Sequence, residues 1–349
     1  MRAVSGQQDL QGKGPQGQGP KEESTITKLQ GQEVPGRMRA VVQRSFGGPE
    51  VLQLSKVDRP APDHSQVLVR VHAAGVNPID CAARAGQLST ETPATLPRTI
   101  GRDVSGVVEQ VADDQTGFRP GDQVYGLLDE CEGGYAEFVA APSRYLARKP
   151  QGLSHVQAAG LPLAGLTAWQ MLTETARVHA GQRVLIHAAA GGVGHLAVQI
   201  AKALGAHVLG TARADKHDLL RSVGVDEPID YTTRDFTQAA HQVDVVVNLV
   251  GGPYIRRSAA VLGRGGLLLT VRSAGYEADL AEAARQGVRT ARFLVRPDAA
   301  GLERLTELVE AGALRVVIDT VLPLDRAAEA HTRMETGHTS GKIVLTTMT

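Results

Sequence analysis

The segment with the clearest chemical potential is a glycine-rich run that lies between an apolar stretch and a helix-like stretch. Its sequence is Val184-Leu-Ile-His-Ala-Ala-Ala-Gly191-Gly192-Val193-Gly194. At Gly191 the missing Cβ lets the backbone approach a pyrophosphate, at Gly194 it lets the helix pack closely on the sheet, and the first amides of the helix meet the anion. The run therefore predicts a dinucleotide site, against the alternative of a glycine-rich turn without a ligand. His195 stands where a triphosphate-binding loop needs Lys, so nucleoside triphosphates are disfavoured.

The residues after the next apolar stretch indicate which dinucleotide binds. An NAD site needs an acidic side chain at the end of the second strand, but this sequence has Ala212 followed by Arg213. A guanidinium can pair with the 2′-phosphate of NADPH, and Lys216 could add a second cation. NADPH is therefore the expected cofactor. The alternative is that both cations lie at a helix start and are merely solvated.

The types and spacing of the other reactive residues argue against metal and covalent chemistry. Cys81 and Cys131 are the only thiols, which is too few for a disulfide framework or a four-cysteine zinc lobe, and this favours a reducing, cytoplasmic location. The eleven histidines show no H-E-x-x-H or other ligand spacing. No Gly-x-Ser-x-Gly motif is present, which argues against an α/β-hydrolase. We expect no metal site, and we expect Cys81 to be a buried small apolar residue.

Composition excludes several classes of protein. The 349 residues carry 37 basic and 37 acidic side chains with no long basic block, so a dedicated nucleic-acid binder is disfavoured. Charged residues interrupt every apolar run well before it could span a bilayer, which favours a soluble chain. The length suggests two domains. Residues 1–37 are rich in Gly and Gln and lack aromatic residues, so we expect a disordered extension, with Met38 as an alternative start.

The pattern of apolar residues changes once along the chain. Up to about residue 150 short alternating runs and Gly or Pro turns predict a β-rich, barrel-like domain. From Arg183 to Thr211 the order strand, helix, strand is typical of a doubly wound α/β domain. Further strands are predicted at 243–250, 266–271 and 342–345, with an amphipathic helix near Leu302–Val309 that ends at Gly312.

Six sequence blocks together resemble the zinc-independent quinone oxidoreductase (zeta-crystallin-like) branch of the medium-chain dehydrogenase/reductase superfamily. The resemblance covers nearly all of residues 38–349. The blocks are Ala74-Gly-Val-Asn77-Pro-Ile-Asp80, Ile100-Gly-Arg102-Asp103-Val-Ser-Gly106, Phe118-Arg-Pro-Gly-Asp122-Gln-Val-Tyr125-Gly, Leu166-Thr167-Ala168, the glycine run, and Ser340-Gly-Lys342-Ile-Val-Leu345.

The resemblance implies the domain limits and the residues that contact the cofactor. A GroES-like β-rich domain would comprise residues 38–158 with 296–349, and a Rossmann NADP(H)-binding domain residues 159–295. The cofactor-binding residues implied are Thr167, Gly191, Gly192, Val193, Gly194, Arg213, Lys216, Tyr231, Val250, Gly251, Phe293, Val295 and Lys342. Asn248 stands where many relatives have Asp, so no role is assigned to it.

The same resemblance departs from the zinc-dependent members of the superfamily. Asn77 and Arg102 occupy the places of the Cys and His zinc ligands, and a guanidinium does not bind zinc. Asn77 would then lie beside nicotinamide and substrate, although a plain turn before Pro78 is the alternative. Arg102 could contact substrate or simply pair with Asp103 or another acid.

The expected reaction follows from the absence of a metal electrophile. A quinone or an α,β-unsaturated carbonyl accepts hydride at a conjugated position and spreads charge onto oxygen. We therefore expect NADPH-dependent reduction of a quinone or enone, with Asn77 and Tyr125 as candidate oxyanion donors and water as a candidate proton source. The alternatives are an NADPH sensor or partner- or RNA-binding protein with little turnover, and an enoyl-thioester reductase. A homodimer is also expected, with 266–271 as either its edge strand or a covered internal strand.

Overall fold

The computed structural model describes residues 36–88, 95–112, 116–129, 133–271 and 276–347. The predicted extension at 1–37 therefore lies almost wholly outside the described residues, as does Cys131. Of its last two residues, Arg37 already begins the first strand. Cys81 is buried with a free thiol, as predicted, and burial raises the pKa of that thiol to about 12.

The first part of the chain is built mainly from short strands. They are β1 (Arg37–Gln43), β2 (Leu52–Asp58), β3 (Gln66–Val76), β4 (Arg98–Thr99), β5 (Asp103–Val111), β6 (Gln123–Leu127), β7 (Phe138–Pro142) and β8 (Leu146–Arg148). One helix, α1 (Pro78–Arg84), follows β3 directly. Strand β7 begins at Phe138, and before it Ala136 makes only an isolated bridge to Ala40.

Helices and strands alternate through the middle of the chain. After α2 (His155–Ala159) and α3 (Pro162–Trp169) come β9 (Arg183–Ile186), α4 (Gly194–Ala203), β10 (His207–Ala212), α5 (His217–Ser222), β11 (Glu227–Asp230), α6 (Phe236–Ala239), β12 (Val243–Asn248), α7 (Tyr254–Ala259), β13 (Leu262–Thr270), α8 (Glu277–Arg285) and β14 (Arg289–Arg292). The chain ends with α9 (Ala299–Glu310), β15 (Ile318–Pro323), α10 (Ala327–Glu335) and β16 (Lys342–Thr346).

The strands of the middle segment form a parallel sheet that is buried on both faces. Along β12, Val245 and Val247 join one apolar cluster and Val246 joins the cluster on the opposite face. Because successive side chains of a strand point to opposite faces, a continuous apolar strand needs helices on both sides. The predicted α/β architecture with a doubly wound sheet is confirmed.

The strand order fixes where this sheet can bind a ligand. Within the described residues the order is β11-β10-β9-β12-β13-β14, so the chain builds outward from β9 in one direction and then from β12 in the other. The crevice at the carboxyl ends of β9 and β12 is therefore the topological switch point, where open parallel sheets bind ligands. The glycine run follows β9 at this crevice.

The other strands form two sheets, and the end of the chain completes the larger one. One has the order β2-β1-β4, and the other β15-β16-β3-β5-β6-β8, with β7 also paired to β3. The last strand β16 thus lies between β15 and β3, antiparallel to β3. This return of the C-terminal segment is consistent with the implied grouping of 296–349 with 38–158, whose boundaries stay a prediction.

The apolar run at 266–271 is an internal strand. Residues 266–270 belong to β13, which pairs with β12 on one side and β14 on the other, so the covered alternative is correct. Among the described strands, the sheet has β14 at this edge and β11 at the opposite one. In the described ranges, no helix is long and apolar enough to cross a membrane.

Candidate active site

The glycine run forms a tight turn between β9 and α4 at the switch point. Ala188 has φ of 52°, and a Cβ on Gly194 would lie 2.2 Å from its carbonyl oxygen. Only glycine fits such a contact, so Gly194 sets the close approach of α4 to the turn. A Cβ on Gly192 would lie 3.2 Å from Lys342 Cδ, so this glycine leaves room for the Lys342 side chain beside the turn.

One side of the crevice carries Arg213 and Tyr231. Ala212 of β10 is paired with Asp230 of β11, and Arg213 and Tyr231 are the next residues of the two parallel strands. They therefore emerge side by side at the same sheet edge, and both are exposed. Within the described part of the chain the side chain of Arg213 makes no hydrogen bond or ion pair, so its guanidinium is available to an anion.

Lys216 lies near Arg213 but is less free than the sequence suggested. Its Nζ donates to the carbonyl oxygen of His338 at 2.8 Å and contacts that of Thr339 at 3.5 Å. The side chain therefore joins the loop before β16 to the start of α5. Its predicted contact with a 2′-phosphate stays a prediction.

The other side of the crevice is the turn after β12. The side-chain oxygen Oδ1 of Asn248 accepts from the main-chain amides of Val250 and Gly251 at 3.0 and 2.9 Å. These bonds hold both predicted residues in place. Asn248 is fully buried, and its Nδ2 has no partner among the described residues. Buried polar atoms rarely stay unpaired, so an orphan donor at this sheet edge fits a bound polar ligand. Asn248 is a site residue that the sequence left unassigned.

Three more of the implied cofactor residues, Thr167, Phe293 and Val295, lie in α3 and in the segment after β14. The Thr167 hydroxyl donates to the carbonyl oxygen of Leu163 at 2.6 Å within α3, so its oxygen remains only as an acceptor. Phe293 and Val295 follow β14 and pack against the main apolar cluster, while Leu294 between them is 78% exposed. The main-chain amide of Phe293 donates to the Thr270 carbonyl oxygen at 3.0 Å, and the implied contact of Phe293 and Val295 with the cofactor stays a prediction.

A buried polar cluster joins β3, β5 and β16 next to the glycine run. Asn77 Nδ2 donates to Asp103 Oδ2 at 2.9 Å. The ammonium of Lys342 donates to the side-chain oxygen Oδ1 of Asn77 and lies 3.4 Å from Asp103 Oδ2. All three side chains are at most 2% exposed. The remaining carboxylate oxygen of Asp103 accepts from the main-chain amide of Leu163 at 2.7 Å, which ties the cluster to the start of α3. Predicted residues Asn77 and Lys342 therefore come together through Asp103, which the sequence did not single out.

A second buried carboxyl group lies behind Asn77. The Asp80 carboxyl group accepts from the main-chain amide of Asn77 at 2.8 Å and from the Tyr135 hydroxyl at 3.2 Å. Burial, and then the negative charge of Asp103, raise the pKa of Asp80 to about 7. Asp80 therefore exchanges its proton near neutral pH, unlike an ordinary carboxyl group.

The polar contacts of Asp80 continue to the protein surface. Arg84 can only donate, so His331 accepts at Nδ1 (3.4 Å) and, when neutral, donates from Nε2 to the Tyr135 oxygen (3.3 Å). Burial lowers the pKa of His331 to about 3, which keeps it neutral. The outer end is an ion pair between Arg84 and Glu335 at 2.5 Å.

His195 is a further residue that the sequence did not assign to the site. The Val317 amide donates to its Nε2 at 3.1 Å, so Nδ1 carries the proton and donates to the Gly191 carbonyl oxygen at 2.9 Å. Burial lowers the pKa of His195 to about 4, in agreement with a neutral ring. One turn along α4, Gln199 bonds both main-chain groups of Arg315. The i, i+4 spacing of these two polar residues on a buried helix face was the available signal.

The candidate role of Tyr125 is wrong. Its ring is fully buried, and its hydroxyl donates to the carbonyl oxygen of Leu302 in α9 at 2.6 Å, with Thr306 Oγ1 at 3.0 Å. The hydroxyl is thus satisfied by α9 and has no proton left for an acceptor oxygen.

The donor atoms near Asn77 do not fit a zinc ion. At the two positions where zinc-dependent members of the superfamily would have ligands, the structure has the amide of Asn77 and the guanidinium of Arg102. Asn77 is already bonded at both ends, and a guanidinium has no lone pair for a metal. No group of three or more His, Cys, Asp or Glu side chains in the described ranges could hold a metal ion.

Comparison with known proteins identifies two domains. Residues 63–151 match an alcohol dehydrogenase GroES-like domain, and residues 223–345 match a zinc-binding dehydrogenase domain. The chain is 34% identical to an NADPH-dependent alkenal/one oxidoreductase of Arabidopsis thaliana, over 89% of this chain and 80% of that protein. It is 33% identical to a human quinone oxidoreductase, over 88% of this chain and 97% of that one.

A solved structure gives the same result. The quinone oxidoreductase from Coxiella burnetii superposes with a TM-score of 0.84 at 36% identity, covering 90% of this chain and all of that one. The match thus extends across both the β-rich part and the parallel sheet.

Proposed function

Because the chain belongs to the quinone oxidoreductase branch of the medium-chain dehydrogenase/reductase superfamily, we propose that it reduces quinones or α,β-unsaturated carbonyl compounds with NADPH. The observation that carries the proposal is the buried Asn77–Asp103–Lys342 cluster beside the glycine run. It offers hydrogen-bond donors where a metal-dependent relative would hold its ion. The names of the relatives, an alkenal/one oxidoreductase and a quinone oxidoreductase, support the same acceptor classes.

The sheet edge provides the contacts that NADPH would need. When bound, the reduced nicotinamide supplies the hydride. Gly191, Gly192, Val193 and Gly194 hold the pyrophosphate on main-chain amides, and the unpaired guanidinium of Arg213 holds the 2′-phosphate. The adenosine end of the cofactor would lie between Tyr231 and Lys216. The nicotinamide end would lie against the remaining predicted residues, which are Thr167, Val250, Gly251, Phe293 and Val295. The orphan donor of Asn248 supports a polar partner at that end.

The buried cluster keeps donors for the acceptor. Asn77 Nδ2 has used one of its two hydrogens, and the Lys342 ammonium has used two of its three, among the described residues. Asp103 fixes both side chains, so these donors are held in place before the acceptor arrives. Such preorganised donors stabilise charge that develops on an oxygen. Water supplies the proton that completes the reduction.

The test follows cofactor absorbance with NADPH and NADH in parallel, each against a naphthoquinone and a medium-chain enal, using chelator-treated protein. We expect acceptor-dependent NADPH oxidation that survives chelation, with NADH much slower. Binding of NADPH without turnover of either acceptor would contradict the proposal and favour an NADPH-sensing protein. Activity that disappears on chelation and returns with zinc would contradict the metal-free site.

We further propose that the protein is a homodimer and that it is located in the cytoplasm. Support for the dimer is the edge strand β14, whose free side can extend the sheet, and the exposed Leu294 next to it. Sedimentation of Leu294→Lys and of the unchanged chain tests the dimer, because a dimer through this edge predicts dissociation of the variant alone.

Support for the cytoplasmic location is the presence of only two cysteines, and microscopy of a tagged full chain tests it.

A further inference from the structure

Arg102 is a buried cation with almost no partner. The residue is only 9% exposed. The one hydrogen bond of its side chain in the described residues runs from Nε to the carbonyl oxygen of Leu128 at 3.1 Å. The Leu128 amide in turn donates to the Arg102 carbonyl oxygen at 2.7 Å, which fixes the backbone. No carboxylate of the described residues lies within ion-pair distance, so the predicted alternative of a pair with Asp103 or another acid does not hold.

The other buried arginine near the site shows what is usual. Arg84 is 3% exposed and is fully engaged by Glu335, His331 and the carbonyl oxygen of Gly47. A charge taken out of water is costly unless it is paired, and most buried arginines are paired for this reason. The chain therefore bears at Arg102 a cost that it avoids at Arg84.

The terminal nitrogens of Arg102 are not fully enclosed by protein. The fully buried side-chain atoms without a partner in the described residues belong to His72, Arg183, His217 and Asn248. Because Arg102 is not among them, its two terminal nitrogens retain contact with solvent. They carry four N–H groups in a planar fork, the geometry that binds anionic oxygen atoms best.

Arg102 also lies beside the buried polar cluster. It immediately precedes Asp103, which binds Asn77 and Lys342. Its charge reaches Asp80, whose raised pKa it partly lowers. The guanidinium therefore lies within electrostatic range of the carboxyl group behind Asn77.

We propose that the Arg102 guanidinium binds the oxygen of the acceptor and stabilises the negative charge that develops there during reduction. This inference rests on the proposed function. A hydride that adds to the β-carbon of an enone forms a new C–H bond and breaks the C=C π bond, whose electron pair moves through the carbonyl carbon to leave an enolate oxygen. The acceptor is reduced, NADPH is oxidised, and a proton from water completes the product. A cation without a carboxylate partner keeps its full field for that oxygen.

The first test uses 4-nitrophenol as a probe of an anionic oxygen, because its phenolate form absorbs visible light. Wild-type protein with NADP⁺ is titrated with the probe, and the ionised fraction of the bound probe is measured against pH. We expect binding to lower the pKa of the phenol in the wild type and in the control Arg148→Gln, whose arginine is an exposed partner of Asp122. Arg102→Gln should lose the shift, and Arg102→Lys should keep part of it. The same ionised fraction in Arg102→Gln as in the wild type, or no shift in the wild type, would overturn the inference.

The second test separates this inference from the proposed function. With saturating NADPH, Arg102→Gln should lower kcat/KM for a naphthoquinone and an enal by about 100-fold, as is typical for removal of one oxyanion donor, and Arg102→Lys by about tenfold. The dissociation constant of NADPH and the melting temperature should match those of Arg148→Gln. Normal turnover by Arg102→Gln overturns the role of Arg102 and leaves the reductase intact. A wild type that shifts the phenol through Arg102 but oxidises no NADPH supports the anion site and contradicts the reductase.

Discussion

The two sides of the site are built on opposite principles. The cofactor side uses main-chain groups of the glycine run and an exposed, unpaired Arg213, all at the edge of one parallel sheet. The acceptor side uses three buried side chains that satisfy one another. Asp103 and Lys342 begin two strands of another sheet, and Asn77 lies between β3 and α1. The first is an open surface that acquires its partner on binding, whereas the second is part of the hydrophobic core. A substitution on the cofactor side should therefore change binding, and one on the acceptor side should change stability as well.

We expect the largest effect on the acceptor side from Lys342→Met, which tests whether the buried cluster contributes to stability. Because it leaves the Asp103 carboxylate buried and uncompensated, we expect unfolding free energy to fall by about 3 to 5 kcal/mol in chemical denaturation. The matched control is Lys202→Met, which breaks the half-exposed pair with Asp226 and should cost about 0 to 1 kcal/mol. Adding Asp103→Asn to Lys342→Met should cost less than the two single changes summed. Equal losses in the two lysine variants would show that the cluster is not a buried ionic unit.

The second prediction concerns pH and Asp80. Its pKa is raised from 3.8 to about 7, so the folded state holds this proton where the unfolded state has lost it, and its contribution to stability falls as pH rises between those values. Asp80→Asn removes that dependence and keeps an acceptor oxygen for the Asn77 amide. Relative to the wild type it should be nearly neutral at pH 4 and more stable at pH 8, by up to about 4 kcal/mol.

The control for Asp80 is Asp122→Asn, which should behave with the opposite sign. The Arg148 side chain holds the pKa of Asp122 below its usual value, so the wild-type carboxylate stabilises the fold above pH 4 and the variant should be less stable there. A difference between Asp80→Asn and the wild type that does not change with pH would contradict the buried, protonated carboxyl group.

The third prediction tests the boundary between the two sides at His195. His195→Phe leaves the Val317 amide without an acceptor and removes the side-chain donor to the Gly191 carbonyl oxygen, which keeps only its bond from the main-chain amide of residue 195. We therefore expect a loss of about 1 to 3 kcal/mol in unfolding free energy and weaker NADPH binding. Fluorescence titration and thermal unfolding measure both effects. His195→Gln, which has one donor and one acceptor, should recover part of each. The exposed His179→Phe should change neither, and an unchanged NADPH affinity in His195→Phe would contradict this coupling.

The smallest effect should come from the cofactor side. Arg213→Gln removes a charge-assisted bond to the 2′-phosphate, so the dissociation constant of NADPH should rise about tenfold while that of NADH stays the same. Because Arg213 is exposed, the melting temperature should not change. Arg221→Gln, at an exposed arginine paired with Asp218, serves as control. Equal losses for NADPH and NADH would contradict the 2′-phosphate assignment.

The same contrast explains how much the sequence could predict. The glycine run, β9, α4 and Arg213 were placed correctly because turn chemistry and apolar period are local, and parallel strands bring their ends to one edge. The bonding of Asn77 to Asp103 and Lys342 was not predicted, since these residues are 26 and 265 positions away and meet only through sheet register.

Tyr125 shows the limit of alternation as a guide. The period of two predicts an inward side chain on β6, but it does not say which element lies opposite. The hydroxyl faces a helix 177 residues further along the chain, and that partner removed it from the site.

The position of β16 has a consequence for biosynthesis. This strand lies between β15 and β3, and it carries Lys342 only a few residues from the end of the sequence. During translation the parallel sheet of residues 183–292 is complete before β16 exists. Until then, residues 73–76 of β3 lack their partner on the side opposite β5, and the Asp103 carboxylate lacks its ammonium. Since domains form in the order in which they are synthesised, the cofactor edge matures first and the acceptor side assembles last. A premature stop codon before Lys342 would therefore leave the cofactor sheet but remove both an internal strand of the other sheet and the lysine of the acceptor cluster.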